Sequence, residues 1–163
     1  LSLRFVKICL GLVLGLMALT YAVQNLANLE QAHGAVAYVL AGPDHQVYPE
    51  SALPRPTSPT LAWVALGVIL ALEFLTALVL LKGAWNLWRA RAEDAMGFDQ
   101  AKHTLMLGAG LGMLVWFGLF HFIGGAVFQQ WQTEAGSTSL QGAFWYGAIM
   151  ALTAVFVAAT PDG

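Results

Sequence analysis

Charge is what this chain has least of. Only 10% of its 163 residues are Asp, Glu, Lys or Arg, against about 25% in soluble domains, so an ordinary water-soluble fold is excluded. Seven Lys and Arg residues, most of them beside apolar runs, make too small a footprint for a nucleic-acid surface. A single cysteine, Cys9, excludes an internal disulfide and any cysteine cluster for metal. It falls within an apolar run, where a thiol acts as a small hydrophobe. No nucleophile and base stand together in the sequence, so neither an enzyme nor a bound cofactor is expected.

What the chain has in abundance is apolar surface: 58% of residues are hydrophobic and the mean hydropathy is +0.67. Four runs are long enough to cross a bilayer, at approximately 3–23, 61–82, 105–127 and 142–160. The fold class read from them is all-α: one four-helix transmembrane bundle spanning 1–163 as a single domain. The first run enters through Arg4 and Lys7. Its basic start and apolar centre loosely fit a signal peptide, and it is read here as a retained anchor. Small residues at Gly11 and Gly15, Gly108 and Gly112, and Gly124 and Gly125 allow close helix approach, and are read as packing positions.

The long connection 24–60 carries Leu26, Leu29, Val36 and Leu40 near helical spacing, ended by Gly42 and Pro43. This predicts an amphipathic helix lying on the membrane surface or capping the bundle. Pro49, Pro54, Pro56 and Pro59 keep the return path extended. Glu30 and His33, with Asp44 and His45 downstream, raise a metal site, but without further ordered ligands they read as a solvated face and no metal is expected. In the second run the helix is expected to continue past Lys82, through Trp85, Trp88 and the arginines, as far as Gly97. Arg4, Lys7, Lys82, Arg89, Arg91 and Lys102 fall on one side of the four spans and Arg55 alone on the other. The positive-inside rule then places both termini and the 83–104 loop in the cytoplasm, with 24–60 and 128–141 outside.

The residue that demands explanation is Glu73, near the middle of the second span. An acid facing lipid costs about 2.5 to 3.5 kcal/mol on insertion scales, so other helices must shield it. It lies twelve residues inside the outer end of its span, or about 18 Å at the helical rise. The same count into the neighbouring spans reaches Trp116, with an indole N–H, and Thr153, with a hydroxyl. His121 lies about 9 Å shallower by that rise. Two readings of Glu73 stand: a protonated acid whose hydrogen bond sets helix register, or a group that exchanges protons. The aromatic residues around His121 leave room for a flat cofactor, yet a bis-histidine haem lacks a second intramembrane ligand, and a satisfied buried histidine is the simpler reading.

Several pieces together carry a family resemblance: Gln24, Asn25 and Leu26 at the exit of the first span; Ala71, Leu72 and Glu73 in the second, followed by Lys82, Gly83 and Ala84; and Ile123, Gly124 and Gly125 leading to Phe128, Trp131 and Gln132. In these the chain resembles a bacterial four-span family of predicted small integral membrane proteins, a domain-of-unknown-function group. The resemblance implies the fold, the topology and a bacterial inner membrane, and brings no reaction. Family members tend to carry an acid and then an aromatic after the paired glycines, where this chain has Ala126 and Val127. The function expected is that of a non-catalytic accessory or structural subunit packing against a larger membrane complex, or a homo-oligomer. The alternative is a small oligomeric transporter or proton-linked channel using Glu73.

Overall fold

Most of the long helices in this chain start at a residue able to accept a hydrogen bond from a free backbone N–H of the first turn. In the computed structural model, which describes residues 2–162, Ser2 caps α1 (Leu3–Ala27), Ser58 caps α3 (Pro59–Arg89), Asp94 caps α4 (Ala95–Met113) and Thr133 caps α5 (Glu134–Ala159). Asp94 Oδ1 accepts from the Gly97 N–H at 2.8 Å and Thr133 Oγ1 from the Gly136 N–H at 3.1 Å. These are the side chains that satisfy orphaned donors at helix N-termini. Pro59 occupies the first turn of α3, where its missing N–H costs nothing. The remaining helix, α2 (Leu29–Ala41), follows α1 across a break at Asn28 and ends at Gly42, whose φ of 55° is the left-handed conformation that glycine adopts without strain.

The caps explain where helix and hydropathy part company. Asp94 starts α4 ten residues before the apolar run, and Thr133 starts α5 eight residues before its run. Most of the expected 83–104 and 128–141 loops is therefore helical. The extension of α3 beyond Lys82 is present but stops at Arg89 and a 3-10 turn, Ala90–Ala92, rather than reaching Gly97. Glu93 is extended, because Asp94 caps the next helix and cannot remain inside the previous one. The helix expected within 24–60 is α2. It packs along α3, and His33 stacks on Trp63 with ring centroids 4.1 Å apart.

Among the described residues there are five α-helices and no strands. α1 lies against α3, α3 against α4, and α4 against α5, while α5 meets α1 across a thinner seam. Along the antiparallel α1–α3 pair, Gly15 faces Leu81 and Gly11 faces Ala84 and Leu105. The closest approach is at Gly83, where a Cβ would lie 2.6 Å from the Leu105 backbone. Gly108 meets Leu80 and Gly112 meets Met150. Such contacts matter in lipid, where packing takes over from the hydrophobic drive. Around them Ala18, Ala77, Leu80, Leu105, Ala109 and Met150 form a fully buried core.

Past Met113 the chain remains helical but widens. Leu114–Val127 is π-helical, and its end is marked by a bond from the Phe128 N–H to the Ile123 carbonyl at 2.9 Å. Nothing in the hydropathy of this run distinguishes it from an α-helix.

Candidate functional site

Glu73 is 2% exposed and projects from the middle of α3. Its partner is Asn25, whose side-chain amide donates to Oε2 at 3.0 Å and to Oε1 at 3.3 Å. The depth-matched candidates do not take this place. Trp116 and Thr153 are buried, but neither hydrogen-bonds Glu73 among the described residues. Counting from the ends of the apolar runs left Asn25 in a connection, whereas α1 stays helical to Ala27 and carries Asn25 down the flank of α3. The Gly15–Leu81 contact, ten residues back along α1 and eight along α3, keeps the same antiparallel register. One signal was available in the sequence: Asn25 belongs to the polar cluster at the exit of the first span.

The other intramembrane polar groups are also tied across helices. Tyr21 and Tyr146 share a hydrogen bond across the α1–α5 seam, and Trp116 meets the Tyr146 ring edge-on at 5.8 Å. Asn86 donates to Thr104 Oγ1 at 3.0 Å, joining α3 to α4. Thr76, one turn along α3 from Glu73, is fully buried and its hydroxyl has no partner. His121 lies in the π-helical stretch with Phe117 at 5.9 Å and Phe144 at 6.2 Å, both edge-on, and its Nε2 is buried without a partner. Gly124 and Gly125 face Gln130 and Leu140.

At the end of the bundle that carries both termini, charge is concentrated. Lys7 is 0% exposed and its ammonium pairs with Asp162 Oδ1 at 2.5 Å while donating to the Thr160 carbonyl at 2.7 Å. Lys102 pairs with the other Asp162 oxygen and with Asp99 at 3.0 Å. Arg4 donates to the Asp162 carbonyl at 2.7 Å and to the Glu93 carbonyl at 2.6 Å, and its guanidinium lies 4.8 Å over the Phe98 ring. Burial works against the charge on Asp162, but hydrogen bonds from Lys102 and Lys7 outweigh it and hold the carboxyl below its ordinary range. Two of the cations that count toward membrane orientation are thus also structural, and hold α1, α4 and the segment after α5 together.

At the opposite end the two connections are joined. The Gln132 side chain accepts from the Tyr48 N–H at 2.8 Å and donates to the Tyr48 carbonyl at 3.1 Å, as a neighbouring strand would. Tyr48 also meets Trp131 edge-on at 5.5 Å. The proposed ligand set does not converge. His33 is stacked on Trp63, Asp44 accepts from the Tyr38 hydroxyl at 2.8 Å, and His45 is tucked beneath Gly42. Burial, then the nearby Arg55 charge, lower the His45 imidazole below its usual value against the pull of Asp44.

A cavity of about 450 Å³ opens above the Glu73–Asn25 pair, between α2, the outer half of α3 and the π-helical stretch. Asn25 forms part of its wall, so the same amide contacts the cavity and the buried acid.

Four helices long and apolar enough to cross a membrane, Leu3–Ala27, Pro59–Ala92, Ala95–Val127 and Glu134–Ala159, with buried polar ties between them, define an integral membrane helical bundle. No curated protein and no solved structure matches the chain. It belongs to the family described as predicted small integral membrane protein (DUF2165), which it matches over residues 3–160.

Proposed function

We propose that the chain is a non-catalytic structural or accessory subunit that packs against a larger complex in a bacterial inner membrane. The observation that supports this is the use of its intramembrane polar groups. Glu73–Asn25, Tyr21–Tyr146 and Asn86–Thr104 each join two helices, instead of forming a file from one side of the membrane to the other. A proton or ion route needs such a file, whereas a scaffold needs ties that set register. Both termini lie on the cytoplasmic side in this reading. The bias of six Lys and Arg at one end against Arg55 at the other carries it.

Native mass spectrometry of the protein purified from its own membrane in mild detergent tests the proposal, with an absorption spectrum taken alongside. A stoichiometric membrane-protein partner is the expected result. A homo-oligomer with no partner overturns the accessory reading. Reporter fusions after Asp162 and within 42–58 test the orientation, the first expected to report the cytoplasm and the second the outside.

A second reading, a small oligomeric transporter or proton-linked channel, draws on Thr76 Oγ1 and His121 Nε2, the intramembrane polar atoms left without partners. Flux through proteoliposomes that is lost in Glu73→Gln, with assembly intact, would favour it over the scaffold.

A further inference from the structure

The cavity beside Asn25 is more than a gap between helices. At about 450 Å³ it falls within the roughly 300–1,000 Å³ of small-molecule sites, which are mostly apolar with a few placed polar groups. Its wall is built from every part of the outer half of the bundle. α2 contributes Val36 and Leu40, α3 contributes Ala65 and Leu66, and the π-helical stretch contributes Leu119 and Gly124. The widened helix is what aims its residues here. Leu119 and Gly124 are five apart, as are Ile123 and Phe128, and all four line the cavity. A five-residue step returns to nearly the same face in a π-helix but overshoots in an α-helix, and π-helical segments recur at functional sites.

Three polar side chains reach the wall: Asn25, Gln130 and Ser139. Asn25 directs its amide nitrogen to Glu73, and its carbonyl oxygen accepts no hydrogen bond among the described residues. Gln130 is 4% exposed; its nitrogen donates to the Gly136 carbonyl at 3.4 Å while its oxygen lies against Gly124, where any side chain would collide with it. Two amide oxygens without donors thus border an apolar space. No Lys, Arg, Asp or Glu lines it. An anionic head would find no cation there and would meet the Glu73 carboxyl behind Asn25; a cationic head would find no carboxylate on the wall.

We propose that this cavity is a binding site for a neutral, hydroxyl-headed amphiphile dissolved in the membrane, its apolar body between α2, α3 and the π-helical stretch and its hydroxyl donating to Asn25 or Gln130. The proposal goes beyond the scaffold reading and does not depend on it, because a subunit with or without a protein partner can hold such a ligand.

The test uses the full chain in lipid nanodiscs and two photoactivatable diazirine probes of equal chain length, hexadecanol and palmitate. The alcohol is expected to label peptides from Val36–Leu40, Ala65–Ile69 or Leu119–Gly124, to be displaced by unlabelled hexadecanol, and to exceed the acid. Ala65→Phe and Val36→Trp fill the cavity from opposite walls and are expected to cut labelling about tenfold while helix content by circular dichroism is unchanged. Labelling of the wild-type protein away from these segments overturns the site whatever the variants do. Undiminished labelling in either folded variant also overturns it. Equal labelling by palmitate overturns the preference for a neutral head.

Discussion

Removing the Asn25 amide tests what the buried acid is for. In Asn25→Ala the Glu73 carboxyl, 2% exposed, loses its 3.0 and 3.3 Å donor contacts, and no other side chain among the described residues hydrogen-bonds it. A buried polar group left unsatisfied costs about 1–3 kcal/mol. Hydrogen bonds between spans average only about 0.6 kcal/mol in double-mutant cycles, with a maximum near 1.7. The pair has two contacts to one carboxyl, so a coupling near the upper part of that range, about 1 kcal/mol, is the expected value. The cycle consists of wild type, Asn25→Ala, Glu73→Leu and the double variant, unfolded by SDS in mixed micelles and followed by tryptophan fluorescence. Glu73→Gln, which keeps an acceptor of the same size, should lose less than Asn25→Ala. A coupling below about 0.3 kcal/mol, under the average for such bonds, would refute the role of this pair as a tie between α1 and α3.

Three other outcomes follow from the packing and the charges. Gly83→Ala puts a Cβ 2.6 Å from the Leu105 backbone and should destabilise by about 1–3 kcal/mol in the same unfolding assay. Gly34→Ala on α2 meets nothing within 4 Å and should be neutral or stabilising by up to about 1 kcal/mol through helix propensity. The carboxyl of Asp162 is held below its ordinary range in the folded state. Its stabilisation is therefore present above the unfolded value of about 3.9 and lost as pH falls through that value toward the folded one. Unfolding midpoints measured down from pH 5 should drop in wild type and flatten in Asp162→Asn; an unchanged slope would show that the Lys7–Asp162–Lys102 network does not govern acid stability.

The sequence by itself determined the membrane class, the number of spans, the helix after the first span and the unusual standing of Glu73. These depend on local composition: a run of about twenty apolar residues has no other stable solvent, and an acid inside one must be covered. Helix ends were less legible, because Asp94 and Thr133 start helices through single side-chain hydrogen bonds that hydropathy does not register. Only the tertiary structure decided the partner of Glu73. It follows from the register in which α1 crosses α3, set by Gly15 against Leu81 and by Gly83 against Leu105. It likewise decided that Lys7 and Lys102, which read as flanking charges, meet on Asp162. The cavity, too, needs α2, α3 and the widened helix brought to one place. Such facts join residues far apart in the chain, and their physical cause is how closely backbones can approach, a property no single run of the sequence contains.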